Sequence, residues 1–310
     1  MNKIRKPNMF IVGEGTSGTT ALGFQLKQHP DIYFSEPKEL YYFCKDYHEE
    51  SDKFHKQRLF FNIRNEEKYL SFFSDAKNEK IIAEGTAAYF GSTIAAKEIY
   101  KFKRDAKIII HLRNPVDYIS SYHAALYKRG YEKIGDIKTA IEMEERRVSG
   151  YDIPKSIIVP SYLYYKKHLD YYTKLKRYWD LFPHENIFIN IYEDYKSDNQ
   201  KTLNNVTDFL GIDRFSPDIK QNINSFSQPY SKFLNNLVFN RFSRAFFAKI
   251  LSAKFYSKTG TTMSMIMNKK AIKEMPDENS KQYIRELSKG SVRQLSDLIR
   301  IDLISKWEYK

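Results

Sequence analysis

The chain has a single cysteine, Cys44, two tryptophans and only 12 glycines among 310 residues. One cysteine excludes an intramolecular disulfide, so stability has to come from a buried core. No apolar run approaches the roughly 18 residues of a membrane-spanning helix. The basic start MNKIRKPNMF also lacks the apolar stretch of a secretory leader, because Lys6 and Pro7 interrupt it. These absences lead to the expectation of a cytoplasmic protein. Acidic residues are missing from one long segment: Lys220 to Lys273 holds ten lysines and arginines and no Asp or Glu. No cluster of His, Cys and Asp has metal-ligand spacing, so no bound metal is expected.

What is present points to a globular protein with a large core, 42% hydrophobic and 15% aromatic. No linker divides the chain, and one domain over 1–310 is expected, with 220–275 as a basic lid or acceptor-side segment. The net charge of +13, much of it in that segment, favours an anionic partner such as a nucleotide, an acidic glycan, nucleic acid or a lipid headgroup, with a solvated helix face as the plainer reading. The stripe Phe239, Phe242, Phe246 and Phe247, interleaved with Arg241, Arg244 and Lys249, suits peripheral membrane contact, a clamp on an acidic acceptor, or the packed side of a lid helix with a solvated basic face.

The runs NMFIVG (8–13), KIIAEG (80–85), KIIIHL (107–112) and NIFINIY (186–192) read as strands without polar alternation. Helical patterns separate them, including one long amphipathic helix over 161–182. This alternation predicts an α/β protein: a parallel sheet of about five strands flanked by helices. His111 lies inside an apolar strand and reads as a core histidine.

The stretch MFIVGEGTSGTTAL is a strand running through a glycine turn into a helix, which gathers main-chain N–H groups and a helix dipole into an anion site. Gly13-x4-Gly18 followed by Thr19-Thr20 matches a nucleotide-triphosphatase loop, except that its lysine is replaced by Thr19. A second motif, KIIIHLRNPVDYISSY, sets Arg113 at a strand end and Ser121 on the following helix, an arrangement suited to a second phosphate.

With these two motifs the sequence resembles the sulfotransferases that use 3′-phosphoadenosine-5′-phosphosulfate (PAPS), which have a P-loop-like fold. LKQHPDIYFSEPKELYYF (26–43), EGTAAYF (84–90), the 175–213 stretch and VRQLSDLIRIDLISKW (292–307) extend the likeness. The carbohydrate-modifying and bacterial branch is the better fit. The resemblance implies that Gly15, Thr16, Ser17, Gly18, Thr19 and Thr20 bind the phosphosulfate, and that Arg113 and Ser121 bind the 3′-phosphate. It implies PAPS as co-substrate, PAP (the desulfated nucleotide) as product, and no metal. The acceptor it implies is a carbohydrate, with no nucleic-acid partner. Glu39, the acid of the family's K-E-x-x-F-F stretch, is the implied base.

The chain departs from this pattern at its cations. The family's loop lysine or arginine falls on Thr16, and its second frequent lysine falls on Gly85. Lys38, beside the implied base, is the first candidate substitute, and Lys258 the second. Glu14 is expected to point away from the anion. Two other readings stay open on the sequence: a P-loop phosphotransferase, and a catalytically weak or inactive member that binds an anionic glycan or nucleotide.

Overall fold

Apolar runs that skip the polar alternation of a half-exposed sheet have to be covered on both faces, and the computed structural model shows how. The structure describes residues 5–218, 227–229, 268–270 and 276–309. In chain order the elements begin with β1 (Met9–Gly13), α1 (Thr19–Leu26), β2 (Ile32–Phe34), α2 (Lys45–His55) and α3 (Glu66–Leu70). These lead into β3 (Ile81–Gly85), a 3-10 turn (Ala87–Tyr89), α4 (Ala95–Phe102) and β4 (Lys107–Leu112). Then come α5 (Pro115–Lys128), α6 (Ile137–Glu142), α7 (Glu144–Val148), α8 (Tyr165–Leu169) and α9 (Tyr171–Trp179). They are followed by β5 (Ile187–Ile191), α10 (Tyr192–Ser197) and α11 (Asn199–Leu210). The short strands β6 (Ser227–Pro229) and β7 (Asn268–Lys270) pair antiparallel, and α12 (Glu278–Ile299) and α13 (Leu303–Lys306) close the chain. Lys258, the phenylalanine stripe and most of the basic 220–273 block lie outside the described residues.

The main sheet has five parallel strands in the order β2-β3-β1-β4-β5. Alternate residues of each strand feed opposite cores, as the period of two requires. Phe10, Val12, Ile108 and Ile110 enter the larger cluster, while Met9, Ile11 and Ile109 pack with α1 and α11 on the other face. The expected sheet is therefore present. Its edge strand β2 was not read from the sequence, because three residues are too few to show a pattern.

The long helix expected over 161–182 is instead a 3-10 turn (Pro160–Leu163) followed by α8 and α9. Asp170 makes the break: its carboxylate accepts the N–H of Thr173 at 3.1 Å and so caps α9, a use of a short acidic side chain that competes with helix continuation. Among the described residues, no helix is long and apolar enough to cross a membrane.

The C-terminal segment reaches back to the end of β4. Trp307 is fully buried, and its indole N–H donates to Glu193 at 3.0 Å. The other oxygen of Glu193 accepts the Asn114 N–H at 3.0 Å, and the Tyr171 hydroxyl donates to the Arg113 carbonyl at 3.0 Å. Thus the start of α5 is pinned from two later elements. Trp307→Ala is expected to cost about 3–5 kcal/mol of stability, read as a fall in the urea midpoint. A loss well under 1 kcal/mol would show that this anchor is dispensable.

Candidate active site

β1 and β4 are neighbours in the sheet, with Gly13 paired to His111. The chain leaves β1 toward β2 and leaves β4 toward β5, so the carboxyl ends of these two strands form the switch point at which open α/β sheets bind ligands. The glycine loop and the Arg113 turn meet there.

The loop is held from beneath. Ser17 is buried, and its hydroxyl donates to the Glu14 carbonyl. Gly18 precedes α1 in a left-handed conformation (φ 94°), and a Cβ there would approach the Tyr192 ring to 2.9 Å. Both facts require glycine. No side chain caps α1 and its first turn carries no acid, leaving the helix N-terminus to attract an anion. Gly15 faces the ring of Tyr122. Thr16 is itself left-handed (φ 67°), and its carbonyl accepts a hydrogen bond from Arg113 Nη1 at 2.9 Å.

That same nitrogen donates to the Ser121 hydroxyl at 3.3 Å, and the guanidinium lies over the Tyr192 ring at 4.7 Å. Arg113 Nε is buried with no protein partner, an orphaned donor beside a helix N-terminus. Arg113, Ser121 and the loop are therefore brought together. Tyr192, which supports both Gly18 and Arg113, was missed by the sequence reading. A tyrosine directly after an apolar strand carries no signal that it will sit under a glycine 174 residues earlier.

Lys38 arrives from the other side. Its ammonium donates to Thr19 Oγ1 and Thr20 Oγ1, each at 3.2 Å, and pairs with Glu39 Oε1 at 3.2 Å. The two side chains are 17% and 24% exposed, shielded from bulk water yet reachable. Gly85 makes room for this, since a Cβ there would lie 3.0 Å from Lys38 Cε and 2.8 Å from the Phe34 ring. The Lys38 ammonium thus lies against the first turn of α1, reached by a path that crosses Gly85.

Glu14 turns away from the anion site, as expected. It is buried against the Lys174 ammonium, with His168 Nδ1 at 3.6 Å. Burial alone would raise its carboxyl, but Lys174 and His168 overcome this and hold it at about 2. His111 is fully buried and stays neutral, pushed down to about 3 by desolvation and by the nearby Lys38 and Arg113 charges. No group of three or more potential metal ligands occurs among the described residues.

A sequence profile of the sulfotransferase domain matches residues 6–269. The chain belongs to the sulfotransferase family. The membrane-associated sulfotransferase kil1 of Dictyostelium discoideum is 24% identical over 322 residues, an alignment covering 77% of this chain and 66% of that protein. The human bifunctional heparan sulfate N-deacetylase/N-sulfotransferase 2 is 26% identical over 227 residues, covering 68% of this chain and 22% of the enzyme. This sulfotransferase chain therefore spans about two thirds of the one relative and about a fifth of the other. A crystal structure of a sulfotransferase from Alicyclobacillus acidocaldarius has the same fold. It superposes with a TM-score of 0.70 at 23% identity, covering 98% of this chain and 100% of that one.

The buried Glu14–Lys174 pair gives this sulfotransferase a measurable acid response. Lys174→Met leaves an unpaired buried carboxylate and is expected to cost about 3–5 kcal/mol, while the double variant Glu14→Gln/Lys174→Met loses less. Because the folded carboxyl is held below its ordinary range, its contribution is present above about pH 4.5 and fades as the pH falls toward 2. Urea midpoints of wild type and double variant should converge over that interval. A constant gap would show that Glu14 does not titrate as described.

Proposed function

We propose that this chain moves a sulfuryl group from PAPS to a hydroxyl or amine of a carbohydrate acceptor. The observation that carries the reading is Arg113. Its guanidinium spans from the glycine loop to Ser121 and keeps a buried, unpartnered Nε, a donor set suited to a nucleotide phosphorylated at both ends. In this reading the loop from Gly15 to Thr20 takes the phosphosulfate, and Arg113 with Ser121 takes the 3′-phosphate. The carbohydrate acceptor draws support from the heparan sulfate N-sulfotransferases among the relatives.

The chemistry asks three things of the protein. The acceptor must be held in line with the sulfur, its proton must be taken, and negative charge on the departing phosphate oxygen must be met. As the new bond to sulfur forms and the bond to the bridging oxygen breaks, Glu39 accepts the acceptor's proton. The Lys38 ammonium, together with the N–H groups at the start of α1, faces the oxygen left behind. Lys38 sits between the two threonine hydroxyls and Glu39, so one ammonium can both meet the leaving group and orient the base. That dual contact favours an active enzyme over a purely binding member of the family.

Isothermal titration with PAP tests the donor site. Binding without metal is expected, weakened about 10- to 100-fold in Arg113→Ala, the loss of a charge-assisted hydrogen-bonding group, with ATP much weaker with or without magnesium. Absent binding, or equal binding in the variant, would overturn the two-phosphate reading.

Transfer from PAPS to N-deacetylated heparosan tests the base and its cation. Glu39→Gln should keep PAP affinity and lower kcat on the order of 10²- to 10⁴-fold. Lys38→Met should keep PAP binding and lower kcat on the order of 10²- to 10³-fold, the loss of one oriented charged donor. A methionine variant with wild-type kcat would remove Lys38 from the proposed chemistry.

A further inference from the structure

Glu84 is buried in the centre of the sheet, paired across to Phe10 of β1, and nothing above uses its carboxylate. Three hydroxyls converge on it: Tyr69 at 2.5 Å on one oxygen, and Thr86 and Tyr89, each at 2.7 Å, on the other. Donating to the carboxylate fixes where the lone pairs of those hydroxyls point. Thr86 Oγ1 uses its lone pairs to accept the N–H of Leu40 at 3.0 Å and of Tyr41 at 3.5 Å. The Tyr89 oxygen accepts the N–H of Phe43 at 3.4 Å. These main-chain groups follow directly after Lys38 and Glu39.

We infer that Glu84 is a positioning residue: through Thr86 and Tyr89 it locks the turn that carries Lys38 and Glu39 against the end of β3. The inference rests on the proposed roles of those two side chains. The physical argument is one of direction. In its ionised form, which prevails above about pH 7, the carboxylate only accepts, so every hydroxyl around it donates inward and is left to accept from the turn. An amide in its place presents two donors of its own, and the hydroxyls that face them lose their inward acceptor. Burial costs the carboxyl dearly, lifting it to about 7 against the pull of the three hydroxyl donors. Gly85 and the Thr86 hydroxyl thus complement each other: the glycine clears the path of the Lys38 side chain, and the hydroxyl holds the backbone from which that side chain springs.

The test is amide hydrogen exchange across the full chain, comparing Glu84→Gln, Thr86→Val and Thr86→Ser with wild type, alongside titration with PAP. Valine matches the shape of threonine without its hydroxyl, so it removes the lock without opening a cavity. Residues 40–43 should exchange on the order of 10-fold or more faster in Thr86→Val and Glu84→Gln, the effect of losing buried hydrogen bonds. Protection of β1 and α1 should be kept, and Thr86→Ser should restore the wild-type rate at 40–43. Wild-type exchange of 40–43 in Thr86→Val would overturn the inference. So would a serine variant that exchanges like valine, or loosening spread evenly over the chain. Failure of the donor reading would appear separately, as absent PAP binding by the wild type. Failure of the base reading would appear as full transfer by Glu39→Gln, and neither changes what the exchange rates say about the lock.

Discussion

Everything at the site follows from the pairing of β1 with β4. The register that sets Gly13 opposite His111 ends both strands at one level, so the chain must turn twice in the same small space. One turn is the glycine loop, the other carries Arg113. Because neighbouring strands lie only about 4.8 Å apart, a guanidinium at the end of one reaches the backbone of the loop after the other. The Arg113–Thr16 hydrogen bond is the direct product of that spacing. A pair of anion-binding groups is therefore obtained from sheet geometry, with the rest of the fold serving to keep the register fixed from both faces.

In the proposed chemistry the site keeps a positive charge while changing its residues. Neither Thr16 nor Gly85 offers a cation, and the proposed substitute is the ammonium of Lys38, on the segment that crosses the end of β3. This route needs a residue without a side chain at position 85, and the backbone just after Lys38 and Glu39 is tied by the Leu40 N–H to Thr86 Oγ1. Lys38 also touches Glu39, which places cation and carboxylate on a single turn. A change in that turn would move both at once, and the Glu84 network with its three hydroxyl donors lies beneath it.

Buried charge is handled in two ways on the two sides of the loop. Glu14 is compensated by a full ionic partner and is held as a carboxylate far below its ordinary range. Glu84 is met by three neutral hydroxyls and is lifted instead. The difference is that an ammonium offsets desolvation by direct attraction, whereas neutral dipoles do so only in part. The first arrangement removes an acid from an anion site, and the second turns an acid into an anchor.

The sequence by itself placed strands at 8–13, 80–85, 107–112 and 186–192, each within a residue of the observed ends, and with them the turn from the first strand into a helix and the motif that carries Arg113. Each rests on a continuous apolar run or on spacing within a few residues, which is local information. The family resemblance of the K-E-x-x-F-F stretch suggested Glu39, and the uncharged Thr16 and Gly85 made the adjacent Lys38 the candidate cation. The break at Asp170 was hidden, since apolar spacing continues on both sides of it and only the capping bond to Thr173 shows where the helix restarts. Tertiary structure alone decided that Tyr192 supports both loop and arginine, that Lys174 neutralises Glu14, and that Thr86 holds the backbone after Glu39. Those contacts join residues 46 to 174 positions apart. Separations of that size carry no periodic signal in the sequence, and they exist only once strand order and register have brought their elements side by side.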